Sequence, residues 1–140
     1  MTRSLRSRFP LIAVLAVAAA VPAVALAAPS SLTVRGPSKP EVGQRFSVGA
    51  KGHAHKKLVL QVTIHRHGKC RATYGEEKDS GSYIAFARFV GPGEFNEKRS
   101  GLRFTAKTNG NYCAYLGRPK DSIYDPPVRR SDKHFQVIQG

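Results

Sequence analysis

The stretch Gly110-Asn-Tyr-Cys-Ala-Tyr-Leu-Gly117 decides how the rest of the chain is read. Asn109-Gly110 and Gly117 are turn signals, and the aromatic and apolar residues between them predict a short β-strand. The strand carries Cys113, one of two cysteines; the other is Cys70. An even cysteine count in a chain that also carries an export signal favours a structural disulfide. Closing a loop of about 44 residues stabilises a fold by roughly 4 kcal/mol on a chain-entropy account. The rival is a pair of reactive or metal-bound thiols. No CxxC supports it, and His65 and His67 are the sole histidines near either cysteine.

Upstream, Leu58-Val-Leu-Gln-Val-Thr-Ile-His65 is the clearest strand. Leu58, Leu60, Val62 and Ile64 point into a core, while Val59, Gln61, Thr63 and His65 point away from it. Residues 31–35 (SLTVR) and 44–48 (QRFSV) alternate as well, the second with Phe46 and Val48 on one face. Residues 82–90 are apolar on both faces, and 102–106 (LRFTA) and 134–138 (HFQVI) complete the expected strands. Between them, 49–57 (GAKGHAHKK) predict a basic loop and 71–78 one or two helical turns weakened by Gly75. Residues 117–132 predict a long proline-containing loop. Six or seven short strands with regularly spaced turns in about 110 residues are the pattern of an all-β, two-sheet sandwich.

Three stretches carry a likeness: Leu32-Thr-Val-Arg-Gly-Pro37, Val42-Gly-Gln-Arg-Phe46 and the late Gly110-Asn-Tyr-Cys-Ala-Tyr-Leu116. Through them the chain resembles the immunoglobulin-like β-sandwich domains of secreted bacterial proteins. It is also similar to small exported proteins of high-GC bacteria that pair a Tyr-Cys-Ala-Tyr-Leu strand with one earlier cysteine. The resemblance spans most of 31–140 and implies about seven strands in one domain; it implies no activity. Antibody domains bridge strands B and F, with a tyrosine two positions before the second cysteine. Here Cys113 follows Tyr112 directly, the earlier cysteine comes after the third strand, and there is no tryptophan. The resemblance therefore implies a Cys70–Cys113 bond between the far end of strand C and the beginning of F, pinning one end of the sandwich outside its core. Gly110-x-Tyr112 fits the spacing of a tyrosine corner.

Residues 1–27 predict a cleaved signal peptide. Arg3, Arg6 and Arg8 form a basic start, an apolar run follows, and Ala25-Leu-Ala27 offers small residues for cleavage before Ala28. The run is shorter than the ~20 residues a membrane span needs, so the expected product, 28–140, is secreted or surface-associated, with no stable membrane span. Without the three arginines it holds 20 Lys and Arg against 9 Asp and Glu, a net charge of +11. Such a balance draws a protein to polyanions. The expected partners are an anionic polymer (cell-wall polymer, acidic polysaccharide or extracellular nucleic acid) or an extracellular protein.

In the sandwich the B–C and F–G loops emerge at one end. The first brings Lys51, His53, His55, Lys56 and Lys57; the second brings Arg118, Lys120, Tyr124, Arg129 and Arg130. Together they form a candidate anion-binding end, with Tyr124 as an aromatic face for a sugar ring or base. Lys98, Arg99, Arg103 and Lys107 make another basic stretch elsewhere. His53-x-His55 and His65-x-His67 have metal-like spacing, but nearby lysines and Arg66 repel a cation; both pairs read as exposed loop histidines, and no metal or cofactor is expected. Glu76, Glu77 and Asp79 are the densest acidic cluster and read as a solvated turn. No G-x-S-x-G, HExxH or phosphate-cradling glycine loop occurs, so the expected function is a non-enzymatic binding module; the alternative is a structural or accessory protein that docks on another extracellular protein, its charge serving solubility only.

Overall fold

A computed structural model describes residues 29–140; the predicted signal peptide and its cleavage site lie outside them. Seven strands are β1 (Ser31–Arg35), β2 (Phe46–Ala54), β3 (Leu58–Arg66), β4 (Tyr83–Val90), β5 (Gly93–Leu102), β6 (Asn109–Gly117) and β7 (Arg129–Gln136). One short helix, α1 (Tyr74–Asp79), interrupts them. The strands form two antiparallel sheets, ordered β1-β2-β5 and β4-β3-β6-β7. The fold is an immunoglobulin-like β-sandwich.

The inner face of β3 is the one its alternation predicts: Leu58, Leu60, Val62 and Ile64 are buried in the core. Tyr112, Ala114 and Leu116 of β6 join them, and Val34, Val48, Ala50 and Phe95 close the core from the small sheet. At the far end Phe46 stacks on Phe104 at 4.9 Å, Phe104 on Phe135 at 5.0 Å, and Tyr112 on Phe135 at 4.7 Å. Such ring pairs add to plain area burial. The Tyr112 hydroxyl donates to Pro37 C=O at 2.8 Å. That bond reaches across to the chain leaving β1. It replaces the short upstream contact of the tyrosine corner that the spacing suggests.

Four features, three of them strand boundaries, differ from the sequence-based expectation. β2 runs on through Lys51 and His53, leaving a turn of His55, Lys56 and Lys57 where a nine-residue basic loop is expected. Gly52 allows this, because a Cβ there would collide with Ser31 C=O of the paired strand. The strand expected at 102–106 is instead β5, which ends at Leu102. The last strand begins at Arg129, not His134. Its inner positions are polar because they meet a backbone edge. Arg129 Nε donates to Ser30 C=O at 2.9 Å, Ser131 Oγ accepts from Val34 N–H at 3.0 Å, and Lys133 Nζ donates to Gly36 C=O at 2.7 Å. These side chains satisfy the open edge of β1 in place of a strand ladder. The opposite side is closed by the Arg88–Glu97 pair at 2.9 Å and by Arg99 donating to Ala85 C=O at 2.9 Å.

The fourth difference concerns the disulfide. Cys70 and Cys113 are bonded, with Cα atoms 5.8 Å apart. Yet Cys113 lies in the middle of β6, opposite Thr63 of β3, not near the strand's beginning. Its side chain leaves the outer face of the large sheet, where the 67–82 excursion folds back and buries it completely. The bond therefore fastens α1 to the sheet and does not pin an end of the sandwich. Cys113→Ser should lower the unfolding free energy by about 2–5 kcal/mol in urea titrations. Amide exchange in α1 should accelerate more than exchange in β3.

Candidate functional site

The two expected loops do emerge together. Val59 pairs with Gly117 and Leu116 with Arg129, so the β2–β3 turn and the β6–β7 loop leave the same edge of the large sheet. Lys56, Lys57 and His55 lie on the turn, with Arg118 and Lys120 directly after β6, all exposed. His55 Nδ1 is 2.6 Å from Ser30 Oγ, and Ser30 C=O receives Arg129. Arg129 is thus close by but committed to holding β1.

Other residues of the expected site go elsewhere. Lys51 and His53 sit on the outer face of the small sheet, paired across it with Asn96 and Glu94. His53 and His55 therefore do not converge on one ion. Arg130 faces away from the core and donates to Arg71 C=O at 3.3 Å. Tyr124 is not a free platform. Its ring covers Gly75, where a Cβ would lie 2.6 Å from a ring carbon, and its hydroxyl donates to Asp79 at 2.8 Å. That hydrogen bond raises its pKa above the ordinary phenol value. Phe89 is the more exposed aromatic at this end, 64% against 54% for Tyr124, with Lys57 Nζ 4.4 Å above its ring centroid. Among the described residues no lysine forms an ion pair, and of the arginines only Arg88 and Arg118 do, the latter with Asp121 at 3.4 Å.

The residue that sequence reasoning missed is Glu77. The acidic cluster is not a solvated turn throughout: Glu77 has no exposed surface. The available signal was Thr73-x-x-Glu76, a capping-box spacing. Thr73 Oγ1 accepts from Glu76 N–H at 3.2 Å and starts α1. One turn of helix then aims Glu77 at the sheet. Its Oε1 accepts from Arg71 N–H at 2.7 Å, and its Oε2 accepts from His65 Nδ1 at 2.5 Å and from the Ser82 hydroxyl. The Tyr115 hydroxyl, 3.3 Å from Oε1, gives its proton to Arg71 C=O at 2.7 Å. Burial raises the Glu77 pKa, but the bonds from Ser82, Arg71 and His65 outweigh it and leave the carboxyl below its ordinary 4.5. Burial, reinforced by the Glu77 charge, holds the Tyr115 hydroxyl far above the usual phenol range.

Ser82, His65 and Glu77 are the residue types of a hydrolytic triad, but the geometry differs. A triad needs the acid on one imidazole nitrogen and the serine on the other. Here Ser82 Oγ, at 2.9 Å, and Glu77 both meet Nδ1. An ionised carboxylate only accepts, so Nδ1 carries the proton and cannot deprotonate Ser82. His65 is no exposed loop histidine, and it does not pair with His67. The latter has φ of +62° and turns its ring toward Thr108 at 3.3 Å. Cys70, Cys113 and Glu77 lie within 4.8 Å of one another, but the bonded sulfurs offer no thiolate to a metal.

No protein-family model and no curated protein matches this chain. Among solved structures it is similar to the CARDB domain of a Pyrococcus furiosus protein, solved in complex with di-metal ions. The two are 12% identical over 78% of this chain and 87% of that one, with a TM-score of 0.48. A likeness at that level assigns no residue a role. Among the described residues no helix is long and apolar enough to cross a membrane.

Glu77→Ala should destabilise by about 3 kcal/mol, because it strands buried donors from Arg71, Ser82 and His65. Since the folded pKa is depressed, the carboxylate's contribution is complete above 4.5 and is lost as pH falls through the lower folded value. Thermal melts across that acid range should show wild type losing stability while Glu77→Gln, weaker at neutral pH, changes less. On the same outer face, Thr63 Oγ1 is buried without a partner. Thr63→Val should be neutral or raise stability by up to about 1 kcal/mol in the same melts.

Proposed function

We propose that this chain is an exported, non-enzymatic binding module for an anionic polymer. The contact is made by the end carrying Lys56, Lys57, Arg118 and Lys120, with His55 beside them. One observation carries the reading: the lysines there have no carboxylate partner, and the Arg118–Asp121 pair is exposed and long. Internal stability does not account for these charges. Each exposed cation contributes on the order of 1 kcal/mol or less to a single contact. Several meeting one polymer act jointly, because each neutralised phosphate, sulfate or carboxylate releases condensed counter-ions.

The sandwich supplies rigidity. The turn holding Lys56 and Lys57 spans only the gap between β2 and β3, and Lys57 is steadied over Phe89. That exposed ring offers a sugar or base face beside the charges, the part the sequence assigned to Tyr124. Phosphate-rich wall polymer, acidic polysaccharide and extracellular nucleic acid all present the required charge density. Replacing Lys56, Lys57 and Lys120 with Ala should lower the salt at which the protein leaves a heparin-like resin. The slope of log affinity against log salt should fall by about 2–3. Replacing Lys69, Lys78 and Lys98, the same number of charges on other surfaces, should change it far less. If both triple variants elute together, attraction follows net charge alone and the charged end is not a site.

A further inference from the structure

A second basic feature lies at the other end of the sandwich. β3 enters from Lys57 and ends at Arg66, where the two sheets part and leave a groove of about 350 Å³. Arg66, Arg99 and Arg103 line it, and no Asp or Glu does. Its apolar wall is Phe46, Phe104 and Tyr83, of which the first two are the stacked pair that begins the core's aromatic cluster. Arg99 is held in place: one Nη donates to Ala85 C=O at 2.9 Å, and its guanidinium carbon lies 5.7 Å from the Tyr83 ring centroid. Its remaining N–H groups are uncommitted. Arg66 and Arg103 make no hydrogen bond or ion pair among the described residues, and both are exposed at the rim.

We propose that this groove binds a small organic phosphate, a phosphate monoester with an aromatic or aliphatic body. Three arginines line one cleft with no acidic residue among them, and a dianion would offset that charge. Planar N–H forks match phosphate oxygens pairwise, which ammonium groups do not. The apolar wall adds what an inorganic ion cannot use: a surface of Phe and Tyr rings to cover the ester's carbon body. The polymer-binding end lies beyond the opposite end of β3 and shares no residue with this groove, so neither proposal depends on the other.

The test is an amide and Arg Nε chemical-shift titration of the disulfide-bonded, isotope-labelled protein. Phenyl phosphate is the probe, with inorganic phosphate and phenol as its separate halves. Phenyl phosphate should give saturable shifts confined to Tyr83, Arg99, Gly101 and Arg103. It should bind about 10-fold or more tighter than either half, since it alone uses both the guanidiniums and the rings. The double variant Arg66→Gln, Arg103→Gln should weaken it by a similar factor while keeping the wild-type unfolding midpoint, because neither side chain bonds to the fold. Lys56→Gln with Lys57→Gln should leave the affinity unchanged. Equal affinity for phenyl phosphate and inorganic phosphate would overturn the proposal. So would shifts spread over the whole basic surface, or wild-type binding by the Arg66, Arg103 double variant.

Discussion

Glu77 has no contact with water, and an ionised carboxylate taken out of water costs several kcal/mol unless donors replace its hydration. The donors come from three separate places: Arg71 N–H in the excursion, His65 in β3 and Ser82 at the entry to β4. They meet only if residues 67–82 lie back against the large sheet. The Cys70–Cys113 bond makes that return a short one, and Thr73 starts the helix that delivers the carboxylate. Other contacts follow from this one. Gly75 N–H donates to Ile123 C=O at 2.8 Å, and Tyr124 closes over Gly75 to reach Asp79. The β6–β7 loop is thereby docked on α1, and the backbone that carries Arg118 and Lys120 is fixed. A buried acid on one face of the sheet thus helps to place exposed bases at its end.

The acidic groups are largely spent on such work. Glu97 is paired with Arg88, Asp121 with Arg118, Asp79 receives Tyr124, and Asp125 Oδ2 accepts from Ser122 N–H at 3.0 Å. The lysines have no counterpart to these contacts, although Lys133 is bound to a backbone carbonyl. Of the lysines, Lys51 and Lys98 lie on the small sheet, Lys78 on α1, and Lys56, Lys57 and Lys120 at one end. Surplus like charge destabilises a compact state through self-repulsion. That cost fits a surface that acts on something outside the molecule.

How much was legible in the sequence depended on what each face meets. Leu58, Leu60, Val62 and Ile64 alternate against a core, and their strand is plain. Tyr112 to Leu116 is buried on both faces, and its nearly unbroken apolar run showed a strand without showing what lies over Cys113 and Tyr115. β7 was hidden because Arg129, Ser131 and Lys133 face the open edge of β1 instead of hydrocarbon. β5 was hidden for a related reason: GEFNEKRSGL buries only Phe95 and Leu102 and spends the rest on an exposed sheet face. Glu77 could not be told from Glu76 by residue type. One faces solvent and the other the sheet, and only the capping spacing at Thr73 gave the helical phase that separates them. The arginine groove was invisible for a simpler reason: Arg66 and Arg103 are 37 positions apart and meet only when the sheets pack.

The two ends differ in chemistry as well as position. Lys56 and Lys120 place compact ammonium charges on flexible stems beside the Lys57 ammonium held over Phe89, a set suited to any polyanion that presents enough charge and tolerant of its spacing. Arg66, Arg99 and Arg103 place planar forks beside packed rings, suited to one oxyanion of defined shape. Nine residues of β3 separate them, which at ~3.3 Å per residue is about 30 Å. Exposed charges are largely screened beyond a Debye length of about 8 Å at physiological salt. Occupation of one end therefore contributes little electrostatic work at the other. The two proposed sites would thus act independently, and coupling between them would require the ligands themselves to touch.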